Sequence, residues 1–329
     1  MKLLYVILFH KEPKQLFRLV DRLSAEGNHI VLHICKNVTD QMHQKVKAFF
    51  STYHQVHFCE RVRGTWCTHK TVEAMCNGMK YAIDHQLEFD YCSVISAQDY
   101  PIKNNAFIQE FFTKNKGKQF INYWDMQPII NANEPYYNTI LQRERVDRET
   151  SKFENYTFFY RDKIRIEIPG NHNAQAKRFS EKASNCVKKL VGLIIHKRKF
   201  LKGMHPYGGS DWYSLSYDAI KFIVQVYEQK HHPINKFMRT VACSSEIYFQ
   251  TLLLNSDFRD QVVNDNLRLI IWPKKNWHPD IIQSKDIQTV LESNALYARK
   301  FDQQVDQEIF DLIDQQLLFT NVKTLNSST

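Results

Sequence analysis

The chain has 329 residues, with 44 Lys plus Arg against 35 Asp plus Glu and a formal net charge of +9. Hydrophobic residues make up 43% and there are only 9 Gly and 9 Pro, which excludes collagen-like, low-complexity and largely disordered proteins. The positive charge leaves three classes of partner open: nucleic acid, an anionic membrane surface or a phosphate-bearing small molecule.

Strand and helix patterns alternate through residues 1–125, and this order predicts a mostly parallel α/β sheet with right-handed crossovers. Ligands of such sheets collect at the carboxyl ends of the strands, so this half is interpreted as the nucleotide-binding half. The predicted strands are 3–9, 29–35, 56–60, 91–97 and 119–123. The predicted helices begin at Pro13, after a cap at Asp40, and near 67–86.

Residues 126–317 are predicted to be the second half of the same globular domain, and 318–329 a C-terminal tail. Turn residues and aromatics dominate 125–175, which indicates a long excursion. Residues 208–212 are predicted to form a tight turn that leads into a strand at 212–216. Further predictions are helices at 217–231, 245–255, 285–293 and 303–317, and a strand at 267–272.

Seven cysteines form an odd set without a C-x-x-C pair, which favours free buried thiols and a reducing compartment. The apolar run at 3–9 is too short for a signal peptide, and no run approaches the ~20 apolar residues of a membrane span. A cytoplasmic protein is therefore expected. His54, His57 and Cys59 are metal-ligand types, but their alternation favours a half-exposed strand over a metal site.

The usual phosphate-binding sequences are missing: the chain has no glycine-rich phosphate loop and no D-x-D pair. A bound diphosphate would therefore need side-chain cations, and the adjacent Arg299 and Lys300 are suited to that. Glu246 lies where Ser244 or Ser245 would cap a helix, a position that keeps a carboxylate ionised. Taken singly, these patterns also fit a solvated basic pair and an ordinary helix start.

Residues 177–202 hold nine Lys or Arg and one Glu, together with an apolar stripe at helical spacing. Such a segment fits either a core-packed helix with a basic face or a surface that docks on anionic lipid. A non-catalytic, basic membrane-surface protein is thus the competing class of function. Nucleic acid is not expected as a partner, because no recognised nucleic-acid module is present.

Eight sequence blocks in a fixed order resemble the core-2/I-branching β-1,6-N-acetylglucosaminyltransferases and peptide O-xylosyltransferases, as a bacterial-type member. The blocks are YVILFHKEP, HIVLHICKN, RGTWCTHKTVEAM, SAQDYPIKN with FFTKNKGKQFI, GGSDWYSLS, SSEIYFQTLLLNS, LRLIIWP and SNALYARKFD. The resemblance implies a glycosyltransferase A-type fold, with 126–317 as its acceptor-binding and catalytic half. It also implies an inverting reaction that uses no metal or other cofactor.

The resemblance also assigns roles to individual residues. Glu246 matches the general base, and Arg299 and Lys300 match the basic pair that contacts the donor diphosphate. Asp99 matches an aspartate near the donor sugar. Nucleotide contacts are implied at the end of the first strand, at Leu8 and His10, and the sugar and acceptor pocket is implied at Trp66, Gly209, Ser210, Asp211 and Trp212.

One position departs from the family pattern. The family places an aspartate for the nucleoside after the second strand, and this chain has Cys35 there, with Asn37 as a possible substitute. The nucleotide base is therefore less well determined than the reaction type.

The function implied is transfer of a sugar, N-acetylglucosamine in first place, from a UDP-sugar to a hydroxyl of a glycan or lipid-linked saccharide in surface polysaccharide synthesis. The alternative is a UDP-xylose-dependent xylosyltransferase. The expected location is cytoplasmic, with peripheral contact to the inner face of the membrane through 177–202.

Overall fold

The structure is a computed structural model, and it describes residues 1–64, 68–126, 200–241, 243–272 and 279–326, with side chains as far as Leu317. Trp66, the aromatic segment at 136–160 and nearly all of the basic segment 177–202 lie outside the described residues. No helix in the described ranges combines the length and the apolar character that crossing a bilayer requires.

The described strands form a seven-stranded sheet and a three-stranded sheet. The larger sheet has the order β3-β2-β1-β4-β7-β6-β8, and the smaller has β5-β10-β9. The strands are β1 Leu3–Phe9, β2 His29–Ile34, β3 Val56–Phe58, β4 Tyr91–Ser96, β5 Asp99–Pro101, β6 Gln119–Asp125, β7 Tyr207–Ser216, β8 Val262–Val263, β9 Arg268–Ile270 and β10 Tyr297–Arg299.

Helices cover the larger sheet, and the short connections between them contain 3-10 turns, among them Ser244–Glu246 and Ser284–Asp286. The α-helices are α1 Pro13–Leu23, α2 Asp40–Phe49, α3 Lys70–Asp84, α4 Asn105–Lys114, α5 Tyr217–Glu228, α6 Pro233–Met238, α7 Tyr248–Leu254, α8 Ile287–Glu292 and α9 Glu308–Asn326.

Strand β1 is an interior strand of the larger sheet, between β2 and β4, and both of its faces are apolar. Leu3, Tyr5, Ile7 and Phe9 pack into one hydrophobic cluster, and the alternate residues Leu4 and Val6 pack into the cluster on the other face. Helix α3 approaches this second face closely at Gly78, where a Cβ atom would clash with the side chain of Val6. The uninterrupted apolar run is thus explained by burial on both sides.

The predicted parallel half is confirmed in β1, β2, β3 and β4, which pair in parallel. The helix predicted after Asp40 is capped one residue earlier, by Thr39, whose hydroxyl accepts a hydrogen bond from the Met42 amide at 3.2 Å. Within residues 1–125, two elements were not predicted: the three-residue strand β5 and helix α4, which Asn104 caps.

The second half differs more from prediction. Residues 208–212 belong to β7, which begins at Tyr207 and lies antiparallel between β4 and β6, so the predicted turn is wrong. The helix predicted at 245–255 is interrupted at Ile247, and no serine side chain caps it. Helix α9 begins at Glu308, not 303, and continues to Asn326, into the residues predicted as a tail.

The cysteine prediction is correct only in part. Cys35, Cys59, Cys76 and Cys92 are free and buried. Cys243 is disulfide-bonded, and its partner lies outside the described residues. The inference of a reducing compartment from uniformly free thiols therefore loses its basis, and the cytoplasmic location remains an expectation from the sequence.

Candidate active site

The candidate site lies at the carboxyl edge of the large sheet, where β1 and β4 end beside each other. Leu8 pairs with Ser96 in the parallel register, and the Leu8 carbonyl accepts a hydrogen bond from the Ala97 amide at 3.0 Å. The chain after β4 turns directly into β5, which pairs with β10 in the smaller sheet. This pairing brings Asp99 opposite Arg299, 200 positions away in the sequence.

Asp99 is fully buried, and its two carboxylate oxygens are used differently. Its Oδ2 atom accepts hydrogen bonds from the Ser96 amide at 2.7 Å and from the Ser96 hydroxyl at 2.5 Å. Its Oδ1 atom has no hydrogen-bond partner in the structure and lies 3.7 Å from Nη1 of Arg299, which also lacks one. A buried polar atom left unpaired is costly, so this pair is suited to a ligand that supplies the missing bonds.

Arg299 is oriented by an aromatic ring. Its guanidinium carbon lies 4.1 Å from the centre of the Trp212 ring, and its side chain is only 11% exposed. Stacking of this kind holds a guanidinium plane while leaving its N–H groups free to bind an anion. Trp212 lies on β7, so the central antiparallel strand supplies the platform for a cation from β10.

Further positive charges surround the end of β1. Burial lowers the pKa of His10, and the positive charges of Lys11, Lys300 and Arg299 lower it further. Partial burial, together with Arg299 and Lys11, lowers the pKa of Lys300. Lys11 forms an ion pair with Asp302 at 2.8 Å. Cations that raise each other's electrostatic energy in this way favour a bound anion, such as a diphosphate.

A fourth cation, Arg268, lies inside the fold and was not singled out from the sequence. It is buried, its Nη2 donates to the Val94 carbonyl at 3.1 Å, and its guanidinium lies 4.9 Å from the Tyr297 ring. Burial and the charge of Arg299 lower the pKa of Arg268, whereas Asp99 and Tyr297 raise it. Arg268 is buried because the small sheet packs on the large one, and no local sequence pattern predicts that packing.

The predicted pocket residues of β7 make mostly internal contacts. A Cβ atom on Gly209 would clash with the Asn122 carbonyl and the Gln250 side chain, so only glycine fits there. The Ser210 hydroxyl accepts a hydrogen bond from Asn266 at 2.8 Å. Asp211 is half-buried on the same strand. Of these residues, Trp212 contacts a cation of the site, through the stacking of Arg299 on its ring.

Glu246 is half-buried and is the last residue of the 3-10 turn at 244–246. The turn packs on β7 and on the start of α3, and the following helix α7 is fixed to β7 by the bond from Gln250 to the Ser210 carbonyl at 2.7 Å. Glu246 thus belongs to a turn that packs on β7, the strand that also carries Trp212.

The end of β2 differs from what the family pattern would place there. The Cys35 sulfur accepts a hydrogen bond from the Gly64 amide at 3.1 Å, and the side-chain nitrogen Nδ2 of Asn37 donates to the Gly64 carbonyl at 2.6 Å. Both side chains are therefore bonded to Gly64, within the protein. Neither supplies the carboxylate that the family pattern places here for the nucleoside.

Within the described ranges, no three His, Cys, Asp or Glu side chains come together as a set that could hold a metal ion. His57 contacts His29 at 3.3 Å, and not His54 or Cys59, with which it was grouped in the sequence.

The architecture and the site define a class of protein: an α/β fold of the glycosyltransferase A type with a cluster of cations at the carboxyl edge of its larger sheet. The model of the Core-2/I-Branching enzyme family matches residues 3–292, and the chain belongs to that family.

Curated relatives agree with this assignment. Human Xylosyltransferase 2 is 20% identical over 96% of this chain and 34% of its own length, and Xylosyltransferase sqv-6 of Caenorhabditis elegans is 21% identical over 100% and 38%. Beta-glucuronosyltransferase GlcAT14B of Arabidopsis thaliana is 30% identical over 38% of this chain and 29% of the relative. The chain spans about a third of the length of the curated relatives that it matches.

Proposed function

We propose that the protein is an inverting glycosyltransferase that moves a sugar from a UDP-sugar to a hydroxyl group of a saccharide acceptor. The observation that carries the proposal is the placement of Arg299, stacked on Trp212 and facing the buried Asp99, with Lys300 next to it. Membership of the family adds the reaction class. The donor diphosphate would lie against Arg299 and Lys300, and the sugar against Asp99.

The proposed reaction is a single displacement. The acceptor hydroxyl gives its proton to the Glu246 carboxylate, and its oxygen forms a bond to the anomeric carbon of the donor. The bond from that carbon to the diphosphate oxygen breaks, and Arg299 and Lys300 stabilise the negative charge that the diphosphate acquires. The anomeric configuration inverts because attack and departure occur on opposite faces.

The names of the curated relatives are the evidence that bears on the donor sugar. Two of them are named as xylosyltransferases and one as a glucuronosyltransferase, which favours UDP-xylose over the UDP-N-acetylglucosamine expected from the sequence. Donor hydrolysis and transfer measured with UDP-xylose, UDP-N-acetylglucosamine and UDP-glucuronate would rank the three. Turnover of none of them would contradict the proposed function.

Replacing the base tests the chemistry. We expect Glu246→Gln to lower kcat by about 10²- to 10⁴-fold, the usual contribution of general-base catalysis, while the donor still binds. Initial rates and calorimetric titration with UDP measure the two effects separately. Turnover of Glu246→Gln near the wild-type rate would contradict the assignment of Glu246.

The same assay tests whether a metal takes part. Because Arg299 and Lys300 are proposed to neutralise the diphosphate, EDTA is expected to leave kcat unchanged. Loss of activity in EDTA with recovery on addition of Mn²⁺ would show that the cations do not suffice.

A further inference from the structure

His69 and Ser244 form a buried contact that links two distant parts of the chain. Nδ1 of His69 lies 3.0 Å from Oγ of Ser244, and the two residues are 175 positions apart. His69 is 8% exposed and Ser244 is fully buried. The His69 ring also packs edge to face on Tyr248, with 6.1 Å between the ring centres.

His69 occupies a position that normally serves its own helix. It is the N-cap residue of α3, yet its side chain makes no capping hydrogen bond there. Ser, Thr, Asp and Asn are the residues that cap helices from this position. The imidazole instead points to the turn at 244–246, so the side chain serves that turn and not α3.

The turn at 244–246 depends on contacts from outside itself. It is a single 3-10 turn, closed by bonds from the Glu246 amide to the Cys243 carbonyl at 2.9 Å and from the Ile247 amide to the Ser244 carbonyl at 3.1 Å. Cys243 begins it with φ of 47°, a left-handed conformation that costs energy for a residue with a side chain. Such a turn persists when surrounding contacts hold it, and here these include the disulfide bond of Cys243 and the contact of Ser244 with His69.

The protonation state of His69 suits a permanent contact. Burial, and then the charges of Arg239 and Lys70, lower the pKa of His69 to about 4. The ring is therefore neutral at pH 7, and its Nδ1 atom accepts a hydrogen bond from the Ser244 hydroxyl when the proton is on Nε2.

We propose that His69 and Ser244 are positioning residues that hold the turn carrying Glu246, so that its carboxylate is kept in place to accept the proton of the acceptor hydroxyl. This inference rests on the proposed function, because it assigns a role to the contact through Glu246. The physical reason is that displacement of a catalytic group by about 1 Å costs about 10²-fold in rate.

The test compares His69→Ala, Ser244→Ala and the double variant with Glu246→Gln, using the UDP-sugar that the wild-type protein turns over. We expect each single variant to lower kcat about 10- to 100-fold, with the donor KM and the stoichiometry of UDP binding unchanged. The double variant is expected to be no slower than the slower single variant, because both remove the same bond. His69→Asn, whose amide oxygen replaces Nδ1, is expected to recover part of the rate.

The matched control is His57→Ala, which removes another histidine contact, that with His29 at 3.3 Å, away from the site. Its kcat is expected to equal that of the wild type. Normal kcat in His69→Ala, or a fall in UDP stoichiometry that accounts for the whole loss, would overturn the positioning role and leave the proposed function standing. Normal kcat in Glu246→Gln would overturn the positioning role together with the assignment of Glu246 as the base, whereas turnover of no UDP-sugar by the wild type would overturn the proposed function itself.

Discussion

At the scale of single residues, the charged side chains of the site are fixed in position by their neighbours. Asp99 is fixed through Oδ2 by the Ser96 amide and hydroxyl, and its Oδ1 faces Arg299 at 3.7 Å. Arg299 is in turn fixed by Trp212. A ligand that binds here meets groups already in position, and preorganised groups bind an anion at lower cost than flexible ones.

Removal of the two adjacent cations should weaken donor binding. Charge-assisted hydrogen bonds are worth about 1.5–3 kcal/mol each, so Arg299→Ala combined with Lys300→Ala is expected to weaken UDP binding by about 100-fold or more. Calorimetric titration with UDP measures the effect. Lys116→Ala, which removes an exposed lysine in a loop, is the control and should bind UDP normally. Unchanged affinity in the double variant would remove these cations from the donor site.

At the scale of elements, β7 determines how the site is assembled. It pairs antiparallel with β4 on one side and β6 on the other, and its first residues extend past the end of β4. The registered pair Val94 and Tyr213 puts Trp212 next to the end of β4, where the cations lie. Helix α7 then attaches to β7 through Gln250 and Thr251, which brings the Glu246 turn to the same strand.

The fit of β7 at Gly209 can be tested by stability. Gly209→Ala places a methyl group against the Asn122 carbonyl and the Gln250 side chain, and overpacking of this kind costs about 1–3 kcal/mol. The free energy of unfolding in urea measures it. Gly117→Ala is the comparison: no atom lies near its Cβ position, and only its φ of 90° opposes the change, at about 1–2 kcal/mol. A free energy of unfolding equal to that of the wild type in Gly209→Ala would contradict the close fit of β7.

At the scale of the whole molecule, several histidines are buried in the neutral form. Burial lowers the pKa of His33 to about 4, and its Nε2 atom accepts a hydrogen bond from the Val62 amide at 2.9 Å. Burial also lowers the pKa of His69 to about 4. Both rings must therefore stay unprotonated for the fold to keep these contacts.

Stability is accordingly expected to fall with pH on the acid side. Between the unfolded pKa near 6.5 and the folded value of about 4, the unfolded chain binds protons that the native one does not. Each histidine is then expected to lower the free energy of unfolding by on the order of 2–3 kcal/mol as the pH falls through that range. Urea unfolding at pH 7, 6 and 5 measures the slope, and His33→Gln, which keeps an acceptor but does not titrate there, should reduce it. A flat profile would contradict this prediction.

The sequence by itself determined the parallel half of the fold and the residue types of the site. Continuous apolar runs and helical spacing define β1, β2, β4 and the helices between them, because these patterns follow from burial on one or both faces of a local element. The adjacent Arg299 and Lys300 and the lack of D-x-D were also legible in the chain.

Only the tertiary structure decided which residues meet. Four of these contacts join segments that lie 54 to 175 positions apart in the chain. They are the antiparallel insertion of β7, the contacts of the buried Arg268, the stacking of Arg299 on Trp212 and the contact of His69 with Ser244. The short strands β5 and β10 are three residues long and carry no periodicity that distinguishes them from loops. Such contacts form because two sheets and their helices share one core. A local sequence pattern does not specify which distant residue a side chain will contact in that core.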